Sequence, residues 1–202
     1  MIIIGITGSI GMGKSTIALM LKFFGIPVHD SDRTVKILLE KDFIIELIKK
    51  KWPSCIIYKE KERVNKEELS KIIFDNNKER KKLENLIHPY VTKNRNNFII
   101  NNKNKRIVGI DVPLLYETKT NTICNYIFLA SASKKIQKKR VLKRANMNIE
   151  KFNKINNNQL SNFEKKKKHP IVIPTGYGKT ITFSAVILNL LWIIIKTKSI
   201  KI

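Results

Sequence analysis

The chain is constrained first by a glycine-rich turn that lies between a short apolar run and a helical pattern. Residues 2–6 are rich in β-branched side chains, which predicts a strand that is buried on both faces. Apolar residues at helical spacing follow over residues 14–24. The turn between them matches the phosphate-loop pattern G-x-x-x-x-G-K-[ST], in the strand-to-helix context that this pattern requires. It reads Gly8-Ser9-Ile10-Gly11-Met12-Gly13-Lys14-Ser15.

The residue types in this loop suit the phosphate chain of a nucleotide. Its glycines let successive backbone N–H groups face one anion, and the helix that begins near Lys14 adds the positive end of its dipole. We expect Lys14 to reach the β- and γ-phosphates and Ser15 to bind Mg²⁺, which takes few protein ligands. The alternative is a structural glycine turn with an incidental lysine. The loop predicts a bound nucleotide and leaves the reaction open.

Strands and helices alternate along the rest of the chain. Further strands are predicted over residues 26–29, 106–111, 125–130 and 171–173, and a last helix over residues 182–195. This alternation predicts a three-layer α/β fold of the P-loop NTPase type, with a five-stranded parallel sheet.

We expect a single domain over residues 1–202, because this length is short for two independent cores. Apolar residues at helical spacing over residues 32–103 predict a helical insertion. The highly charged residues 133–168 predict a helical lid that faces solvent and can move. The remaining core covers about residues 1–31, 104–132 and 169–202.

The chain is strongly basic, with 40 Lys and Arg against 16 Asp and Glu and a net charge of +24. Such a field attracts polyanions, so a basic nucleic-acid-binding protein is one alternative function. Lys, Asn and Ile crowd every segment, as codon bias in an AT-rich genome produces, and we favour this compositional origin. The sequence contains no helix-turn-helix, zinc-finger or aromatic RNA-binding pattern, so we expect no specific nucleic acid.

Cysteines and apolar segments indicate a cytoplasmic protein. Cys55 and Cys124 match no metal spacing and form no disulfide framework, which fits a reducing compartment. The apolar start runs into the glycine loop and lacks the basic leader and cleavage site of a signal peptide.

Residues 183–195 would span only about 20 Å as a helix, against a hydrocarbon core of about 30 Å. We favour a buried helix and expect no membrane; a tail on a membrane surface, through the lysines that follow, is the alternative.

Carboxylates follow two of the predicted strands. The carboxyl ends of parallel strands form the ligand crevice of an open α/β sheet, and we expect strand two to end beside strand one. After strand two, Asp30 or Asp32 can therefore orient or deprotonate the acceptor hydroxyl of a phosphoryl transfer. Either residue can instead cap the next helix. Asp111, which ends another buried strand, is predicted to be the carboxylate near Mg²⁺.

The order of these motifs resembles the dephospho-CoA kinase family over roughly residues 1–182. The phosphate loop with Thr16 is followed by Asp30-Ser31-Asp32, by His88-Pro89 and by Pro113-Leu114-Leu115-Tyr116-Glu117. The resemblance continues through Arg140, Arg144, Gln159, Glu164-Lys165 and Thr175.

The resemblance implies a kinase that uses ATP to phosphorylate the ribose 3′-hydroxyl of dephospho-CoA, the last step of coenzyme A biosynthesis. It implies that Asp32 is the catalytic base and that residues 133–168 close over ATP. Arg140 and Arg144 would be lid arginines that chelate phosphate oxygens, and their spacing of four predicts one shared helical face. The dephospho-CoA site would be lined by His88, Pro113, Leu114, Leu115 and Glu117.

Residues 174–180 form a second candidate phosphate loop, which resembles that of helicase-type ATPases. Ile173 replaces its first small residue, and too few residues follow for the rest of an ATPase core. We interpret the segment as a turn near the adenine, in which Thr175 and Gly176 contact the nucleotide. Another small-molecule or nucleotide kinase with the same phosphate loop is the alternative activity. The sequence leaves the oligomeric state open.

Overall fold

The structure, a computed structural model, is organised as two compact units. The first unit comprises Met1–Val28 and the chain from Asn104 onward, and the second comprises His29–Lys103. The division of the chain into one domain with an insertion and a lid stays a prediction. The residues that the structure describes are 1–58, 60–145, 147–175 and 180–199.

Strands and helices alternate within those residues much as the sequence patterns indicate. The strands are β1 (Ile2–Thr7), β2 (Val28–Asp30), β3 (Ile56–Ile57), β4 (Arg63–Val64), β5 (Ile107–Asp111), β6 (Tyr126–Ser131) and β7 (Ile171–Pro174). The helices are α1 (Lys14–Phe23), α2 (Ser31–Leu38), α3 (Asp42–Lys51), α4 (Lys66–Asp75), α5 (Asn77–Asn101), α6 (Lys134–Leu142), α7 (Ile149–Asn157), α8 (Asn162–Lys166) and α9 (Thr180–Ser199).

The first unit is built on a five-stranded parallel sheet with the strand order β2-β5-β1-β6-β7. Ile4 of β1 pairs with Gly109 of β5 on one side and with Tyr126 of β6 on the other. The predicted α/β fold is therefore confirmed. The expectation that strand two ends beside strand one is wrong, because β5 lies between them. Alternating strands and helices predict a parallel sheet, but they do not specify the order of its strands.

The core of the first unit joins β1, α1 and α9. Burial of each large aliphatic side chain there contributes about 1.5–3 kcal/mol relative to exposure. One face of α9 is buried in this cluster, which confirms the predicted helix packed on the core. Among the described residues, no helix has both the length and the apolar character that crossing a bilayer requires. The buried side chains include Ile4, Ile6, Ile17, Leu21, Ile187, Leu191 and Ile194.

The second unit is mainly helical, as predicted, and has its own apolar core between α3, α4 and α5. It also contains a short antiparallel hairpin, in which Ile56 pairs with Val64 and Ile57 with Arg63. The sequence interpretation missed this hairpin because two residue pairs are too short to show a period-two pattern.

Candidate active site

The phosphate loop connects β1 to α1, and two of its glycines are required by the backbone. Gly11 has a φ of 77° and Gly13 a φ of 90°, in the left-handed region that L side chains rarely adopt. A Cβ at Gly13 would lie 2.5 Å from Thr175 Oγ1, and a Cβ at Gly11 would lie 2.5 Å from Val141 Cγ2. The loop therefore packs too tightly for any side chain at either position.

The N-terminus of α1 presents hydrogen-bond donors to an anion. Gly13 provides no side-chain cap, and the first turn of α1 contains no acidic residue. The N–H groups of Gly11 and Gly13 donate to no other described residue. These donors and the positive end of the helix dipole suit a phosphate group.

Lys14 is held by Asp111 at the base of the loop. Lys14 Nζ donates to Asp111 Oδ1 at 2.6 Å, and the two side chains are 14% and 5% exposed. Asp111 ends β5 opposite Ile6 of β1, the strand that runs into the loop, so the parallel register brings the carboxylate there. Because the pair is largely removed from water, its charges interact more strongly than an exposed pair would.

The loop also carries oxygen donors that suit a hard divalent cation. Asp111 contributes a carboxylate, and Ser15 is an exposed hydroxyl in the first turn of α1. Mg²⁺ prefers such donors and completes its coordination with phosphate oxygens and water. The residues present therefore fit the predicted metal.

Asn162 holds the first half of the phosphate loop from α8. Its Oδ1 accepts hydrogen bonds from Ser9 N–H at 3.1 Å and from Ser9 Oγ at 3.0 Å, and its Nδ2 donates to the Ala130 carbonyl at 2.9 Å. A capping box fixes the start of α8, since Ser161 Oγ accepts from Glu164 N–H while the Glu164 carboxylate accepts from Ser161 N–H. The cap thus sets the position of Asn162 beside the loop.

Two glutamines hold the next residue of the loop. Gln159 Oε1 accepts from Ile10 N–H at 3.0 Å, and Gln137 Nε2 donates to the Ile10 carbonyl at 2.8 Å. We call Gln137, Gln159 and Asn162 the amide clamp. The clamp forms hydrogen bonds with the N–H and the carbonyl of Ile10 and with the N–H of Ser9. These groups are therefore not the ones that bind phosphate.

Lys165 links α8 to the segment that follows β5. Its side chain is fully buried, and its Nζ donates to the Pro113 carbonyl at 3.1 Å and lies 3.6 Å from Glu117 Oε1. Glu117 Oε1 also accepts from Leu160 N–H at 2.8 Å. Burial lowers the pKa of Lys165; the Glu117 carboxylate opposes this change, and the Lys14 ammonium adds to it.

The two predicted lid arginines occupy different positions. Arg140 donates to the Thr175 carbonyl at 2.5 Å and to Thr175 Oγ1 at 3.1 Å, and the Thr175 hydroxyl donates to the Met12 carbonyl of the loop. Arg144 lies beyond the end of α6, with its side chain exposed. The expectation that both arginines share a helical face is wrong, because α6 ends at Leu142.

The two carboxylates after β2 belong to the second unit and differ in local role. Asp30 is the N-cap of α2, since its Oδ1 accepts from Arg33 N–H at 2.9 Å. Asp32 lies in the first turn of the same helix and is exposed. Asp30 is therefore the residue that caps the helix. The role of Asp32 as a base stays a prediction. His88 is exposed on α5, directly before Pro89.

His29 forms a buried polar group in the second unit. Its Nε2 lies 3.0 Å from Asn94 Oδ1 and 3.2 Å from Thr34 Oγ1. Burial lowers the pKa of His29, and the hydrogen bond with Asn94 partly opposes that change. Folding therefore makes the protonated imidazole less favourable than it is in the unfolded chain.

The other residues that the sequence analysis predicted to bind substrate or nucleotide differ in how exposed their side chains are. Leu115 is fully buried and packs with Ile110 and Tyr116, whereas Leu114 is partly exposed. Gly176 lies outside the described residues, as do residues 177–179 of the second candidate loop.

Sequence reasoning assigned no role to Gln137 or Asn162. Their contacts with the loop span 127 and 153 residues, and such long-range bonds leave no local pattern. The one available signal was the Ser161-x-x-Glu164 capping box, which predicts where α8 begins.

Comparison with known proteins decides the family. The sequence model of dephospho-CoA kinase matches residues 2–177. This chain belongs to the dephospho-CoA kinase family. The predicted family is thus confirmed, and with it the predicted activity of a kinase in coenzyme A biosynthesis.

A relative of known name supports this membership, and two solved structures share the fold. The dephospho-CoA kinase of Bartonella quintana is 39% identical over 176 residues, which cover 86% of this chain and 89% of that protein. The crystal structure of TT1252 from Thermus thermophilus has a TM-score of 0.79 at 26% identity, over 95% of this chain and 96% of that one. A dephospho-CoA kinase from Campylobacter jejuni, with a TM-score of 0.68 at 23% identity over 97% and 98% of the two chains, has the same fold.

Proposed function

We propose that this protein transfers the γ-phosphate of ATP to the ribose 3′-hydroxyl of dephospho-CoA, with Mg²⁺ as the metal. The observation that carries the proposal is the phosphate loop with Lys14 paired to Asp111, in a chain of this family. We place the reaction in the cytoplasm, since Cys55 and Cys124 are thiols and not a disulfide, which suits a reducing compartment.

Lys14 and the N-terminus of α1 bind the phosphates of ATP in this mechanism. A triphosphate competes with Asp111 for the Lys14 ammonium, so we infer that Lys14 exchanges its carboxylate partner for phosphate oxygens. Asp111 and Ser15 would then hold Mg²⁺, which neutralises charge on the phosphate oxygens. The amide clamp keeps the loop in place during this exchange because its bonds go to Ser9 and Ile10.

Arg140 is assigned to the charge that develops on the transferring phosphoryl group. A guanidinium has about five N–H donors, so Arg140 can hold Thr175 and still donate to a phosphate oxygen. Because Thr175 bonds to the Met12 carbonyl, Arg140 is fixed to the loop itself. Such preorganised donors lower the barrier without reorganising during the reaction.

Asp32 is assigned as the base that accepts the proton of the acceptor hydroxyl. Its neighbour Asp30 is already used as the helix cap, so Asp32 is the carboxylate of this pair that is available for chemistry. Phosphoryl transfer is loose, so positioning of the hydroxyl contributes alongside proton transfer.

The experiment is an ADP-release assay with ATP and a panel of acceptors: dephospho-CoA, adenosine, nucleoside monophosphates and pantothenate. We expect turnover with dephospho-CoA alone, loss of turnover on chelation of Mg²⁺, and recovery when Mg²⁺ is restored. Faster turnover with another acceptor would instead assign the protein to a different small-molecule kinase activity.

A further inference from the structure

Helices α1 and α9 of the first unit each expose large apolar side chains. On α1, Leu19 is 64% exposed and Phe23 is 81% exposed. On α9, Leu188 is 47% exposed and Trp192 is 59% exposed. The members of each pair are four residues apart, so they lie on the same face of their helix. Leu188 and Trp192 also line a groove, and a contiguous exposed apolar surface marks a docking site.

A groove lies between α9 and the turn that follows α1. It encloses about 670 Å³ and is lined by the turn after α1, the start of β5 and the exposed part of α9. Phe23 joins this surface through Phe24, whose ring centroid lies 5.6 Å from its own. We call the exposed face and its groove the α1–α9 groove; its lining includes Phe24, Ile26, Lys105, Arg106, Leu188 and Trp192.

The rim of the α1–α9 groove is basic. Lys105 and Arg106 line it, and Lys196 Nζ lies 4.2 Å from the centroid of the Trp192 ring. None of the described residues that line the groove is acidic. The acidic residues of the first unit lie in other segments of the chain: Asp111, Glu117, Glu150 and Glu164.

We propose that the α1–α9 groove docks this protein on a bilayer surface rich in anionic lipids. Its aromatic and aliphatic side chains enter the boundary between headgroups and acyl chains, while the rim cations meet lipid phosphates. A second copy of the chain would place one basic rim against another. A nucleic acid would pair with the cations but leave Leu188 and Trp192 in water. A lipid surface accommodates both features.

The position of the groove keeps the phosphate loop accessible. β5 begins beside the groove at Ile107 and ends at Asp111, which bonds Lys14. Four residues of a strand separate these ends by roughly 13 Å. The family match ends at residue 177, before α9 begins, so the docking surface depends on a helix outside the matched region.

Cosedimentation with vesicles tests the proposal on the full chain. Phosphatidylcholine vesicles are compared with vesicles of equal parts phosphatidylcholine and phosphatidylglycerol. We expect binding to the anionic vesicles, and a fall in partitioning of roughly tenfold for Trp192→Ser, because burial of this ring is lost. Phe163→Ser is the matched control, since Phe163 is 69% exposed and Lys167 Nζ lies 4.8 Å from its ring centroid. It should bind as the wild type does.

Phe23→Ser on α1 provides a second variant, whose binding should also fall. Kinase activity without vesicles should be unchanged in both groove variants, which verifies that they are folded. Absence of wild-type binding at physiological salt, or equal losses in the groove and control variants, would overturn the proposal. It would also be overturned if Trp192→Ser abolished self-association in light scattering, or binding to DNA, while vesicle binding was unaffected.

Discussion

Replacement of Asn162 by alanine tests whether the amide clamp positions the phosphate loop. The variant loses three hydrogen bonds, two with Ser9 and one with the Ala130 carbonyl. Ser9 is 3% exposed, so its N–H loses a partner without gaining water, although its hydroxyl keeps a 3.3 Å bond to the Leu160 carbonyl. A buried donor left unpaired costs about 1–3 kcal/mol and each further bond about 0.5–1.5 kcal/mol. We therefore expect a total cost of about 2–6 kcal/mol.

This cost is divided between the free energy of unfolding and the binding of ATP. In the variant, ATP has to order a loop that is already ordered in the wild type, and each factor of ten in affinity corresponds to about 1.4 kcal/mol. We expect the KM for ATP to rise by roughly 10- to 30-fold. The change in kcat should be smaller, because the residues assigned to the chemical step are intact.

The assay is steady-state kinetics with varied ATP at saturating dephospho-CoA, together with chemical denaturation of the same samples. Asn153→Ala is the matched control: Asn153 is exposed on α7, and we expect a change within about 0.5 kcal/mol. An Asn162→Ala enzyme with wild-type KM would refute the positioning role. A loss of stability with no change in KM would assign Asn162 to folding alone.

Three further predictions concern single side chains. Lys14→Ala should nearly abolish ADP release while circular dichroism shows a retained fold; turnover like that of the wild type would contradict the phosphate role. Asp32→Asn should lower kcat by about 10²-fold with little change in the Kd for ATP, whereas Asp30→Asn should leave kcat nearly unchanged and cost at most about 1 kcal/mol of stability. His29 has a folded-state pKa below its ordinary value of 6.5, so the unfolded chain binds the proton more readily and stability should fall as pH drops below about 6.5. Denaturation of His29→Gln against pH should show a flatter profile, and an identical profile would exclude His29 as the cause.

Local patterns predicted the chemistry of the loop well. The glycine loop with Lys14 is one short pattern, and the strand that ends at Asp111 is another. The structure pairs Lys14 with Asp111. The order of the strands is set by packing between distant segments, so the neighbour of β2 was predicted wrongly. The end of α6 before Arg144 was also missed, because a spacing of four is informative only while the helix continues.

The contacts that hold the site together were the least predictable from sequence. Asn162 and Gln137 reach the loop from segments more than a hundred residues away, and their types are common among exposed residues of this Asn- and Lys-rich chain. The apolar run in α9 predicted a packed helix, but the periodicity did not show that Trp192 and Leu188 would face outward. Exposure of one side of an apolar helix depends on which elements flank it.

The most direct test of the proposed reaction is phosphorus NMR of the products formed from ATP and dephospho-CoA. We predict one new phosphomonoester signal coupled to the ribose 3′ position, formed in equal amount with ADP and absent with the Lys14→Ala variant. Release of free phosphate without a new ester, or an ester at another hydroxyl, would contradict transfer to the 3′-hydroxyl of dephospho-CoA.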